Sequence, residues 1–152
     1  MLLNPCLSKT RGKELEKKAR ILSCVEINCQ TICDSRGEIN VLDGQKQLPF
    51  PINRIFFVHG ANGERGAHAH RDLFQFILPI VGSLSVEVDD GQWRDKIRIS
   101  SRRKGLLIPP LIWAEQKNFS SDSVYAVLAS EKYCEDDYIR DYDEFLRMTS
   151  VK

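Results

Sequence analysis

From Cys24 to Leu128 the apolar residues fall into short runs divided by turn-forming residues, a pattern that predicts strands rather than helices. VEINCQTI precedes the break DSRGE, INVL precedes DGQKQ, and RIFFV leads into the glycine-rich HGANGERG. LFQFILPIV, LSVEV, IRIS, GLLIPP and YAVLAS follow in order. LSVEV alternates apolar and polar positions, and the Asp90-Gly91 pair just after it is a hairpin signal. Pro49, Pro51, Pro79, Pro109 and Pro110 fall at strand ends or edges, where a missing N–H costs least. Many short strands at near-regular spacing predict a closed barrel or sandwich. The period changes at both ends of the chain. Residues 9–22 are rich in helix formers and predict a short amphipathic helix or a loose arm. Tyr138, Tyr142, Phe145 and Leu146 recur at helical spacing, with Glu135 or Asp136 placed to cap the first turn of a C-terminal helix. The expected organisation is therefore a basic N-terminal arm over 1–23 and one all-β domain over 24–152 that ends in a helix.

Composition narrows the class. At 152 residues with 42% apolar and 28% charged side chains, the chain can bury a real core, which excludes a disordered segment. A net charge of +1 gives no reason to invoke nucleic acid or membrane. The charge is uneven, six basic against two acidic residues over 9–20 and six acidic against two basic over 135–147, and both runs read as solvated helix faces. No apolar run approaches the ~18 residues of a membrane span, and the opening lacks the order of a signal peptide. Five cysteines without a repeated C-x-x-C suggest reduced thiols in a cytoplasmic protein.

The candidate chemistry is concentrated. All three histidines, His59, His68 and His70, lie within HGANGERGAHAH. Histidine exchanges protons near neutrality. Residues i and i+2 of a strand share a face, so the His68-x-His70 pair points into one pocket.

The run His68-x-His70-x4-Gln75-x6-Gly82 resembles the first motif of the cupins, H-x-H-x4-E-x6-G, whose fold is a double-stranded β-helix, or jelly-roll, barrel. Their second motif, P-x-G-x2-H, has its counterpart near Pro109-Pro110-Leu111-Ile112-Trp113-Ala114, with alanine close to the histidine position. An amide is a poor metal ligand and a methyl is none, so Gln75 and Ala114 argue against a bound metal. A closer resemblance covers about residues 24–146. DSRGE, PFPINRIFFV, GERGAHAHR, QFILPIVGSLSVEVDDG, GLLIPPLIW and ASEKYCEDDYIRDYDEFL look like the sugar 3,4-ketoisomerase family. That resemblance implies a metal-free, cofactor-free cupin, a homodimer, and a substrate of the dTDP-4-keto-6-deoxyglucose class used in deoxysugar biosynthesis for surface polysaccharides. The nucleotide remains open between TDP and CDP. Three features depart from the family pattern: a shorter loop at GERG, His59 in place of a tyrosine, and Trp113-Ala114-Glu115 in place of W-H-E.

A C4 ketone acidifies the C3 proton of such a sugar, and a neutral imidazole removes it to form an enolate. His68 is the expected base, with His70 orienting it or meeting the enolate oxygen. Tyr133, after the run YAVLAS, is the expected opposite-face acid, by resemblance to the nucleotide-sugar 3,5-epimerases. His59 in place of the family tyrosine tilts the expectation slightly toward C3 epimerisation, with 3,4-ketoisomerisation and a non-catalytic sugar-binding cupin as alternatives. Arg65 is the expected partner of a diphosphate, with Arg54 and Arg71 weaker candidates. Trp113 offers an apolar face to a sugar or base, and Gln75 a hydrogen bond to substrate or to a histidine.

Overall fold

The structure, a computed structural model, describes residues 23–150, so the arm expected over 1–23 lies almost entirely outside the described residues. The strands run Val25–Asn28 (β1), Gln30–Asp34 (β2), Gly37–Val41 (β3), Arg54–His59 (β4), Arg65–His70 (β5), Gln75–Val81 (β6), Leu84–Asp89 (β7), Arg94–Ile99 (β8), Lys104–Ile108 (β9), Trp113–Lys117 (β10), Val124–Ala129 (β11) and Tyr138–Ile139 (β12). A single helical turn, Gly44–Gln47 (α1), precedes β4, and the helix Tyr142–Thr149 (α2) follows β12. The pairing is antiparallel and builds two five-stranded sheets, β1-β9-β6-β11-β4 and β12-β5-β10-β7-β8, with β2 and β3 as a separate ribbon. The architecture is the expected cupin jelly roll.

Alternation along the strands decides what lies between the sheets. Leu84, Val86 and Val88 of β7 are buried against Ile77 of β6, Leu106 of β9 and Tyr125 and Val127 of β11. Each such side chain contributes roughly 1.5–3 kcal/mol when buried. The outer face of the first sheet is partly covered by Leu48 and Phe50, which pack on Phe76, Leu107, Ala126 and Leu128. The outer face of the second sheet is covered by α2, whose Phe145 meets Ala69, Trp113 and Ile139. The hairpin forms where expected. Leu84–Asp89 pairs with Arg94–Ile99, Gly91 takes φ 87°, and Asp90 Oδ1 accepts from the Trp93 amide at 2.9 Å.

The C-terminal segment departs from the reading of its spacing. Asp141, and not Glu135 or Asp136, caps α2, accepting from the Glu144 amide at 2.7 Å. Glu135–Asp137 forms a short 3-10 turn, and Tyr138 and Ile139 then pair with His70 and Ala69 of β5. Helical periodicity describes Tyr142, Phe145 and Leu146 correctly, whereas Tyr138 is taken by a strand edge distant in sequence. Strand β10 also escaped the pattern reading, because WAEQK has little apolar alternation beyond its first two residues. Among the described residues Cys24, Cys29 and Cys33 are free thiols.

Candidate active site

Strand β5 positions the histidine pair. Ala69 turns outward into the α2 cluster with no exposed surface, which sends His68 and His70 to the inner face. The strand enters through a close backbone approach to β10. Gly66 has φ 86°, and a Cβ there would lie 2.6 Å from the Ala114 carbonyl oxygen, so the GERG glycine is needed for geometry. Ala114 itself stands opposite His68 in the ladder and packs into the core. The methyl therefore occupies the wall where a second-motif histidine would project a ligand. Among the described residues no three side chains of ligating type converge.

The two imidazoles meet edge to face, with centroids 4.9 Å apart, but their surroundings differ. His70 is bonded at both nitrogens: Nδ1 lies 2.7 Å from Asp137 Oδ2 and Nε2 lies 3.1 Å from the Gln75 amide nitrogen. The second oxygen of Asp137 accepts from the Asp72 backbone N–H at 2.8 Å. Burial alone would raise the Asp137 pKa, but the bond from His70 and the Asp72 and Arg71 amides outweigh it and hold the carboxyl below its usual range. His68 has no such support. Its Nδ1 is shielded from solvent without a well-formed hydrogen bond, the nearby Gly66 carbonyl only partly favouring a proton there. Burial lowers its pKa to about 4, with His70 and Arg140 adding to the effect. His68 is thus a neutral imidazole with basic capacity unspent at neutral pH.

A third ring completes the cluster. Tyr138 packs 4.9 Å from His68 and 4.4 Å from His70, and the Arg140 guanidinium covers its ring at 4.4 Å. Arg140 Nε donates to Glu135 at 2.7 Å, and Glu135 also accepts from the Tyr133 hydroxyl. From β4, Arg54 reaches toward the same region, its guanidinium over the Phe56 and Tyr133 rings at 5.3 and 5.6 Å. Arg54 Nε is buried without a hydrogen-bond partner. A guanidinium nitrogen left so is a donor awaiting an acceptor.

Of the residues singled out from the sequence, the structure brings His68, His70 and Gln75 together. Tyr133 sits at the rim, 62% exposed, its hydroxyl engaged by Glu135 and its ring 5.7 Å from Tyr138. Its pKa is raised, first by the bond to Glu135. His59 is not brought to the site. Along β4 the half-buried Arg54, Phe56 and Val58 alternate with the exposed Ile55, Phe57 and His59, so His59 falls on the outer face. Trp113 also points away: it packs edge-on to Tyr142 at 5.1 Å under α2, because β10 turns Ala114 rather than Trp113 inward. Arg65 is exposed at the start of β5, near enough to Tyr125 to favour its phenolate. Arg71 is bonded to Glu144 of α2 and to the Asp136 carbonyl, which removes it from the anion candidates. Asp137, Tyr138 and Arg140 are the residues the sequence reading missed, although DDYIRDYDEFL carried part of the resemblance.

A family model described as FdtA, WxcM-like, C-terminal, matches residues 22–150. A TDP-4-oxo-6-deoxy-alpha-D-glucose-3,4-oxoisomerase from Aneurinibacillus thermoaerophilus is 43% identical over 121 residues, 78% of this chain and 87% of that protein. The chain belongs to the sugar 3,4-ketoisomerase family. It is an isomerase by that membership. A solved 3,4-ketoisomerase from Helicobacter canadensis superposes with TM-score 0.81 at 38% identity, covering 84% of this chain and 98% of its own. The ketoisomerase QdtA from Thermoanaerobacterium thermosaccharolyticum, solved in complex with TDP, gives TM-score 0.82 at 30% identity, covering 86% and 96%. A 3'-monoepimerase from Streptomyces bikiniensis matches at 12% identity and TM-score 0.66, which shows a shared fold alone. These findings support the 3,4-ketoisomerase alternative better than the tilt toward C3 epimerisation. The tilt rested on His59, which faces outward, and the hydroxyl of Tyr133, the expected acid, is bound to Glu135.

The lowered pKa of His68 makes a prediction about ketoisomerase turnover. A base must be neutral to accept a proton, so if His68 is the base, activity is present above its pKa and lost below it. The acid limb of kcat/KM is expected near pH 4, well below the 6.5 of an ordinary imidazole. A kcat/KM profile with its limb near the ordinary value would assign the base elsewhere.

Proposed function

We propose that the chain moves the keto group of a TDP-linked 4-keto-6-deoxyhexose from C4 to C3. The observation that carries this reading is the asymmetry of the histidine pair. One imidazole is bonded at both nitrogens, and the other is half-buried and neutral, without a well-formed hydrogen bond at Nδ1. A single base suffices for a 3,4-shift. His68 takes the proton from C3, the electrons of that bond pass into the C4 carbonyl, and an enediolate forms. The imidazolium returns the proton to C4, while the proton of the C3 hydroxyl passes to the C4 oxygen, so the product is an isomer with nothing gained or lost. Epimerisation at C3 would need an acid on the opposite face of the ring, and the hydroxyl of Tyr133, the acid expected for that role, is bound to Glu135. Arg54, with its unpartnered Nε, is the candidate donor to an anionic oxygen of the substrate. Gln75 and Ala114 leave no ligand set for a metal, and the chemistry needs none.

The names of the relatives support the nucleotide and the sugar: one acts on TDP-4-oxo-6-deoxyglucose and another was solved with TDP. The test is proton NMR of TDP-4-keto-6-deoxyglucose incubated with the protein in D2O. Migration of the ketone to C3 is the expected result, with deuterium at C4 to the extent that the imidazolium exchanges its proton with solvent before returning it. A C3 epimer that keeps its C4 ketone would overturn it, and faster turnover of the CDP-linked sugar would change the nucleotide.

We further propose that the chain works as a homodimer. Ile55 and Phe57 are 54% and 63% exposed on the outer face of β4, an edge strand whose far side has no partner among the described residues. Exposed apolar side chains beside an open strand edge are an association surface. Light scattering is expected to give twice the chain mass, and Phe57→Asp to shift it toward the monomer.

A further inference from the structure

We propose that Tyr138 is a further catalytic residue, whose hydroxyl donates a hydrogen bond to the C4 oxygen of the sugar as negative charge develops there. This role rests on the ketoisomerase reading above, and it holds whichever of the two imidazoles takes the carbon proton.

The chain has four tyrosines, and their hydroxyls are not equivalent. That of Tyr125 donates to Gln116 Oε1 at 2.9 Å, that of Tyr142 to Asp89 Oδ2 at 2.7 Å, and that of Tyr133 to Glu135. The contacts of Tyr138 are made by its ring and its backbone, and its hydroxyl has no hydrogen-bond partner among the described residues. Nor is that hydroxyl sealed off. Among the described residues the side-chain nitrogen and oxygen atoms buried without a partner are Arg54 Nε and His68 Nδ1, so the hydroxyl of the half-buried Tyr138 keeps contact with solvent. A phenol in that state can exchange water for a substrate oxygen that accepts the same hydrogen bond.

The ring is held by several neighbours at once. Pairing with β5 sets Tyr138 directly opposite His70, so both side chains leave the sheet on the inner face. The imidazoles of His70 and His68 lie 4.4 and 4.9 Å from the ring, and the Arg140 guanidinium covers it at 4.4 Å. Arg140 is itself held by Glu135 through two N–H groups, at 2.7 and 3.1 Å. A base takes a carbon proton from about 3–3.5 Å. The ketone oxygen is carried by the adjacent carbon, so a sugar presented to either imidazole brings that oxygen beside a ring packed on both. When the C3–H bond breaks, its electron pair moves into the C4 carbonyl and the charge collects on that oxygen. The other polar groups around the pair are engaged or of the wrong kind: Gln75 faces His70, Asp137 and Glu135 are acceptors, and Arg140 is bound to Glu135. Arg54 Nε is the other open donor, and its guanidinium lies over Phe56 and Tyr133 rather than on the histidines. A preorganised donor at the site of developing charge contributes about 10²–10³ in rate. The phenol keeps its proton throughout, so the balance of the isomerisation is unchanged.

Tyr138→Phe keeps the ring and removes only the hydroxyl. With TDP-4-keto-6-deoxyglucose in D2O, ketone migration and deuterium uptake at C3 should fall together, by about 10²–10³ in kcat. KM, the affinity for TDP in isothermal titration and the melting temperature should change little. Replacing Tyr138 by 4-aminophenylalanine returns an N–H donor to the same ring and should recover about tenfold or more of the loss. A Tyr138→Phe rate within about threefold of the original overturns the inference. So does a loss that 4-aminophenylalanine does not recover, or one that comes with a lowered melting temperature or weakened TDP binding, which marks a structural hydroxyl. Migration lost while C3 exchange persists would assign the hydroxyl to proton transfer between the sugar oxygens, and also overturns it. If the unmodified protein moves no ketone, the functional reading fails and this role with it; if it does and Tyr138→Phe equals it, this role alone fails.

Discussion

His68→Asn is expected to abolish solvent exchange at C3 and with it ketone migration, while substrate binding changes little. The amide keeps the size and hydrogen-bonding character of the imidazole but has no useful basicity. Removing a general base raises the barrier by several kcal/mol, about 10²–10⁴ in rate. The effect belongs to His68 rather than His70 because His70 spends both nitrogens on Asp137 and Gln75. Deuterium exchange into recovered substrate separates the two steps, and isothermal titration with TDP checks binding. Exchange at an undiminished rate in His68→Asn would remove His68 from the role of base.

Asp137→Asn is expected to cost both stability and turnover. The two carboxylate oxygens serve two N–H groups, His70 Nδ1 at 2.7 Å and the Asp72 amide at 2.8 Å. An asparagine has one oxygen, so it cannot accept at both positions as the carboxylate does, and its NH2 is set against the Asp72 amide or against His70 Nδ1. Leaving a buried donor unsatisfied costs about 1–3 kcal/mol, which lowers the melting temperature by several degrees. Asp137 also ends the turn that delivers Tyr138 to β5, so the ring against both histidines loosens with it. The sign with pH follows from the depressed pKa of Asp137. Its charged form stabilises the fold above the unfolded carboxyl pKa of about 3.9, and this contribution is lost as the pH falls through the lower folded value. The gap in stability between the original and Asp137→Asn should thus be full at neutral pH and close in acid. Thermal unfolding followed across pH checks this, and a gap that persists unchanged in acid would mean that the charge of Asp137 is not what the fold uses.

Local pattern carried much of the fold. The two-residue period of LSVEV, the hairpin at Asp90-Gly91 and the apolar run of YAVLAS each depend on neighbours in sequence, and each forms as its pattern implies. The same period placed His68 and His70 on one face, and the H-x-H-x4-Q spacing carried Gln75 to the next strand, close enough to bond His70. Where side chains of one type sit on alternate residues, the strand itself aims them.

Face selection by a partner element is another matter. His59 and Trp113 are both on strands, but nothing in their neighbourhood says which face is inward. The packing of α2 over Trp113 and the open outer side of β4 decide it. Tyr138 shows the limit most clearly. Its spacing to Tyr142 and Phe145 fits a helix, and the helix is real from Tyr142 onward. What removes Tyr138 from it is a two-residue ladder with His70 and Ala69, 68 and 70 residues away along the chain.

By itself, then, the sequence determined most of the strands but not β10 or β12, the hairpin turn, the shared face of the histidine pair and the family resemblance, because all of these follow from contacts between near neighbours or from short motifs. Only the tertiary structure decided which histidine is free, which tyrosine lies against it and which carboxylate supports its partner. Those assignments depend on where Asp137 and Tyr138 dock on β5, and docking is set by packing between elements far apart in the chain, which no local period encodes.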